Sequence, residues 1–192
     1  MARTPSKEAH EKVLKAVLPL IGERGVEGTS MDSIAAAAGV SKATVYKHWE
    51  NKDALVVDAI RSNSQEVPVF DSGDIRRDFV DLLTYLARNT KSDELSRVWP
   101  RIISYAASNH AFGKVLHTRV FGPRKLKIVE MLQAAVEAGQ LQAGLDPEFA
   151  ADMLIGPIMH RRFVTHDKVP EDMPERVVAA FYAAFAPARK AR

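Results

Sequence analysis

The sequence predicts an all-α protein with a helix-turn-helix near its N-terminus. Three observations predict it. Apolar residues recur at three- and four-residue spacing in segment after segment, no segment shows the two-residue alternation of a strand, and residues 30–52 read as two short helices across a glycine turn. Composition agrees: of 192 residues, 46% are hydrophobic and only 7% aromatic, with abundant alanine, the strongest helix former.

Each element has a local cause. A first helix is expected over residues 7–24, with Val13, Leu14, Val17, Leu20 and Ile21 as its stripe and Pro19 bending it. Ser30 is an N-cap type, and Met31, Ile34, Ala35 and Ala38 follow at helical spacing. Gly39 ends that helix, because glycine adopts the left-handed conformation without steric cost. Ser41 caps the next helix, 42–49, whose buried stripe is Val45 and Trp49. A fourth helix runs from Lys52 to about residue 64, and Val67-Pro68 and Ser72-Gly73 then break the chain. Ser72 or Asp74 can cap the helix that carries Phe79, Leu82, Leu83 and Leu86. Ser92-Asp93 opens another, with Leu95, Val98, Trp99, Ile102 and Ile103, kinked at Pro100. A tract from residue 110 to Gly139 is bent or split at Gly122-Pro123. Asp146-Pro147-Glu148 is a helix start, with a cap, a proline at the first position and an acid in the first turn. The final helix, 174–186, is apolar around most of its circumference.

The second helix of a helix-turn-helix enters the DNA major groove. Residues 42–49 present suitable chemistry. Lys42, Ala43, Thr44 and Lys47 point outward, with Tyr46 and His48 at the edge. Thr44 can bond a base edge or touch a thymine methyl. Tyr46, Lys47 and His48 are phosphate-contact types, and Ser30, Ser41 and Lys52 stand at helix N-termini, where backbone N–H groups attract phosphate. Net charge is only +3, so DNA contact has to come from this local patch. Arg3 in the N-terminal arm and the tail of Arg189, Lys190 and Arg192 read as solvated charge, the arm alternatively as a phosphate contact.

The run TSMDSIAAAAGVSKATVYKHWENKDALVVDAI resembles the DNA-binding domain of TetR-type transcriptional regulators. The I-A-x-x-A-G-V-S turn, the T-V-Y-K-H-W helix and the N-K-D-A-L opening carry the resemblance, over about the first sixty residues. Trp49 stands where phenylalanine is commoner, and Glu50-Asn51 where a proline-serine pair is frequent. The section LIGPIMHRRF also resembles the dimerisation helix of one C-terminal subtype. The resemblance implies a helix-turn-helix DNA-binding domain, 1–52, and a helical effector-binding and dimerisation domain, 53–192. It implies a homodimer on double-stranded DNA with a palindromic operator, and a repressor released by a small-molecule effector. An activator or an architectural protein with the same motif is the alternative. Ala179, Ala180, Ala183 and Ala184 on the last helix suit close helix contact in a dimer.

An effector pocket is expected among the middle helices, with Leu83, Leu86, Trp99, Ile103, Tyr105, Phe112, Leu116, Val120, Met153 and Pro157 as candidates; each also reads as plain core. His110 and His117 lie seven apart without the ligand spacing of a metal site, so no metal and no cofactor are expected. Arg161-Arg162 suit an interface salt bridge, solvent or an anionic ligand. No phosphate loop, H-E-x-x-H or local triad points to an enzyme. Absence of cysteine removes disulfides and fits a reducing cytoplasm, and neither a signal peptide nor a membrane-spanning stretch is expected.

Overall fold

The computed structural model describes residues 5–64, 66–88, 94–165 and 167–187, without side chains for 5–6 and 94–96. Arg3, the basic tail, the Ser92-Asp93 start and the Leu95 side chain lie outside the described residues. Those residues form ten α-helices: α1 (Pro5–Arg24), α2 (Met31–Ala38), α3 (Lys42–His48), α4 (Lys52–Ser62), α5 (Ile75–Arg88), α6 (Glu94–Ser108), α7 (His110–Leu116), α8 (Gly122–Glu137), α9 (Pro147–His160) and α10 (Met173–Phe185). Short π-helical segments, His117–Phe121 and Arg161–Thr165, follow α7 and α9. At the expected break, Gly122-Pro123, the π-helical segment His117–Phe121 gives way to α8. No strand occurs among the described residues.

The chain forms two compact units. The first comprises residues 1–65 and 92–121, the second 66–91 and 122–192. In the first, Val13, Val17 and Ile21 of α1 pack with Ile34, Val45, Leu55, Val56 and Ile60, all fully buried. The core is continuous because α1 contacts α2, α4 and α6. Gly113 permits α7 to approach α6: a Cβ there would stand 2.9 Å from the Ala106 carbonyl oxygen.

The second unit is built on Phe79, Leu82, Leu83, Leu132, Leu154, Ile158 and Val178. Its one buried carboxylate, among the described residues, is Asp78. Asp78 accepts from the Ser72 amide at 3.0 and 3.2 Å and so holds the loop before α5. Asp74, rather than Ser72, caps that helix, accepting from the amides of Arg76 at 3.0 Å and Arg77 at 3.3 Å.

Candidate nucleic-acid interface

The turn between α2 and α3 follows from three capped ends. The Ser30 hydroxyl oxygen accepts from the Ser33 amide at 3.1 Å, and the Ser33 hydroxyl oxygen accepts from the Ser30 amide at 2.9 Å. Gly39 closes α2 at φ 65°, in the left-handed region. Ser41 then accepts from the Thr44 amide at 3.1 Å and starts α3. Below α3, Val45 and Trp49 are buried. Trp49 is the C-cap residue in extended conformation, so α3 ends at His48, one residue before the sequence pattern suggests. His10 of α1 stacks on the Trp49 ring at 4.6 Å, and His48 meets His10 edge-on at 5.3 Å.

The outer face of α3 exposes Lys42, Ala43, Tyr46, Lys47 and His48. Tyr46 is 55% exposed, with its ring and hydroxyl open to a partner. Thr44 is half-buried, and its hydroxyl lies 2.8 Å from the Ser41 hydroxyl. Lys42 pairs with Asp32 of α2. The Asp32 hydrogen bond and then its charge hold the Lys42 ammonium above its ordinary pKa. Lys52 is engaged within the fold. Its ammonium donates to the Val26 carbonyl at 2.7 Å and lies 5.5 Å above the Tyr105 ring. Ser30 and Ser41 are exposed caps whose hydroxyls serve their helices first.

Side-chain ties around α4 have no counterpart in the local sequence pattern. Trp49 Nε1 donates to Asp58 Oδ2 at 3.1 Å, and Arg119 Nη2 meets Asp58 Oδ1 at 3.1 Å. At the other end of α4, the Tyr105 hydroxyl donates to Asp53 Oδ1 at 3.2 Å and accepts from Asn109 Nδ2 at 3.0 Å. Burial, followed by the Asp53 charge, pushes the Tyr105 phenol upward, so it remains a donor. No local spacing signals such pairs, since Asp53 and Tyr105 lie 52 residues apart.

The ten pocket candidates are divided between the two units. Trp99, Ile103, Tyr105, Phe112, Leu116 and Val120 belong to the first unit, and Leu83, Leu86, Met153 and Pro157 to the second. Phe112, Leu116 and Leu83 are core residues with at most 1% exposure. Met153 and Pro157 line a groove of about 400 Å³ along α9 and α10, with Arg161, Met173, Arg176 and Val177. No cluster of three metal-ligating side chains occurs among the described residues. None of the described helices is long and apolar enough to cross a membrane.

A capped helix-turn-helix with an exposed basic and phenolic face, followed by a helical C-terminal region, defines a DNA-binding transcriptional regulator rather than an enzyme. Comparison with known proteins gives the lineage. Residues 13–59 match the model of the bacterial regulatory proteins of the tetR family, and residues 69–181 match that of the tetracyclin repressor-like C-terminal domain. The chain belongs to the TetR family of transcriptional regulators. It is 34% identical over 168 residues to the uncharacterized HTH-type transcriptional regulator YdeS of Bacillus subtilis, covering 87% of this chain and 84% of that one. A solved structure of a TetR-family regulator from Mesorhizobium loti superposes with a TM-score of 0.71 at 25% identity, covering 96% of this chain and all of that one. The flavonoid-responsive regulator FrrA shares the fold, with a TM-score of 0.69 at 24% identity and coverage of 95% and 98%.

Proposed function

We propose that this regulator is a cytoplasmic homodimeric repressor that grips a palindromic operator through α3 of each subunit and releases it when a small-molecule effector binds the C-terminal region. The single observation that carries the DNA half is the α3 surface. Tyr46, Lys47 and His48 stand exposed on a helix whose other face is anchored by Val45 and Trp49. In this reading, Lys47 and His48 contact phosphate, Ala43 and Thr44 face base edges, and Tyr46 donates to the backbone.

The dimer half rests on α9 and α10. Phe149 is 56% and Met153 40% exposed on α9, and Ala180, Ala183 and Ala184 are exposed on α10. A second copy related by a two-fold axis would bury the same face twice and place two α3 helices for successive half-sites. The effector half draws support from α4. Residues 69–181 match the C-terminal family model, and within them Tyr105 and Arg119 hold Asp53 and Asp58 of α4. A ligand that favours one arrangement of these helices shifts α4, and with it α3, by population shift. FrrA is named for its response to flavonoids, which makes a small organic effector the natural class.

The test is binding of purified protein to labelled genomic fragments, including DNA next to its own gene, at two salt concentrations. Tight, salt-sensitive binding to few fragments supports the reading. Weak binding to all fragments alike would replace it with an architectural role.

A further inference from the structure

We propose that His10 of α1 is a positioning residue for DNA binding. Its ring, stacked on Trp49 and met edge-on by His48, fixes the direction in which the last turn of α3 presents Lys47 and His48. This rests on the reading of α3 as the DNA-gripping helix and goes beyond it by naming what holds that helix in aim.

α3 cannot hold itself. It has seven residues, and isolated helices shorter than about 12 residues are marginal in water. Its first turn is fixed locally by the Ser41 cap, and its middle by Val45, which is fully buried. At the other end the chain leaves the helix at Trp49, whose backbone is extended at φ −132° and ψ 126°. The Trp49 amide still donates to the Val45 carbonyl at 3.0 Å, so the last turn follows wherever Trp49 is set. The Trp49 indole is 3% exposed and gripped from two helices. Asp58 of α4 holds its edge, accepting from Nε1 at 3.1 Å. His10 of α1 covers a face, with centroids 4.6 Å apart and planes 20° from parallel. His48 completes the group, 5.3 Å from His10 at 78° and 5.6 Å from Trp49 at 58°.

The placement of His10 along α1 sharpens the point. It stands three and four residues before Val13 and Leu14 and so extends the inward stripe that continues through Val17 and Ile21. Those buried members are all aliphatic. An aliphatic side chain at position 10 would fill space against the indole without selecting an angle. Ring pairs do select one, because the negative face and positive edge of each π-system favour offset-stacked and edge-to-face arrangements, and His10 makes both. One imidazole thereby orients two consecutive side chains, the buried Trp49 and the exposed His48. His10 acts on DNA through these two rings.

The test compares the full chain with His10→Leu, which keeps an apolar filling but no ring, and His10→Phe, which keeps a stacking ring. Binding is measured on genomic fragments that wild type retains, over a series of salt concentrations. We expect His10→Leu to raise Kd about fivefold, the scale of one lost aromatic pair. Its slope of log Kd against log salt stays that of wild type, because no phosphate contact is removed. His10→Phe stays within about twofold of wild type, since the stack survives. Hydrogen exchange in the free protein supplies a readout away from DNA: the Trp49 amide exchanges faster in His10→Leu, while amides in the middle of α8 keep wild-type rates. Wild-type affinity in His10→Leu would reduce His10 to a packing residue and overturn the proposal. A salt slope lowered by about one in both variants would make His10 a phosphate contact and overturn it equally. A wild type that binds every fragment alike sinks the operator reading alone, because the comparison of variants runs on any fragment that wild type binds.

Discussion

Trp49 and Asp58 are joined by an indole hydrogen bond of 3.1 Å that ties the end of the recognition helix to the middle of α4. Arg119 completes the arrangement from the π-helical segment after α7. Trp49→Phe keeps an aromatic ring but removes the donor and part of the buried indole, so Asp58 retains Arg119 but loses its part-buried partner. Urea unfolding should show a loss of about 1 kcal/mol. Arg119→Met should cost no more than about 0.5 kcal/mol, because the pair is partly exposed. It should nevertheless reduce the change in DNA affinity between ligand-free and ligand-bound protein. An Arg119→Met protein with full effector response would remove this contact from the coupling path.

Lys47 and Thr44 should fail in different ways on DNA. Lys47→Ala should weaken binding to every sequence and lower the salt slope by about one. Thr44→Val keeps the methyl but loses the hydroxyl that sits 2.8 Å from Ser41. It should relax preference at one base position, read by binding to a randomised operator library. Unchanged selectivity would take Thr44 off the reading face and leave its hydroxyl as part of the α3 cap.

Lys42 pairs with Asp32, and under the proposed function that carboxylate would compete with DNA phosphate for it. Asp32→Asn should raise affinity and steepen the salt slope by about one, as Lys42 becomes available to phosphate. The pH behaviour follows from sign. The folded-state pKa of Lys42 is raised above its ordinary 10.5. Any stabilisation by the pair is therefore fully present below that value and disappears as pH rises through the folded value. The difference between wild type and Asp32→Asn should stay flat from neutral pH upward and change only in the lysine range, as followed by thermal melting in a pH series.

The turn itself should be sensitive at two small positions. Ser41→Ala removes the α3 cap and should cost about 1 kcal/mol. Gly39→Ala places a Cβ at φ 65° with no atom within 4 Å, so the cost is backbone strain alone, of order 1 kcal/mol. Urea midpoints measure both, and a neutral Gly39→Ala would mean the turn rearranges.

Ala180 and Met153 test the subunit contact. Ala180→Glu or Met153→Glu should yield a species near the 21.2 kDa chain mass in sedimentation, with operator affinity falling sharply. A dimer unaffected by both changes would put the contact elsewhere.

Sequence legibility divides along physical lines. The helices of 30–62 were readable because caps and period are local: Ser30, Gly39, Ser41, Val45 and Trp49 all act within a few residues of themselves. Gly122-Pro123 marked a disturbance correctly but could not say that the chain would pass through a π-helical turn. Asp53–Tyr105 and Asp58–Arg119 could not be read, because each joins residues more than fifty positions apart through tertiary packing. The pocket candidates were chosen for apolarity, which marks burial without marking which neighbours are shared; hence Trp99 and Leu83 fall in different units.

The two units are interleaved along the chain: α6 and α7 return to the first after α5 has entered the second. No single cut therefore separates a reader from a sensor. A hybrid regulator made by joining two relatives near residue 65 would inherit α1 to α4 from one parent and the side chains that grip α4 from the other. Exchange of sensing domains within such a family should succeed only when α4 and the 92–121 segment travel together, and engineered chimeras should place their junctions accordingly.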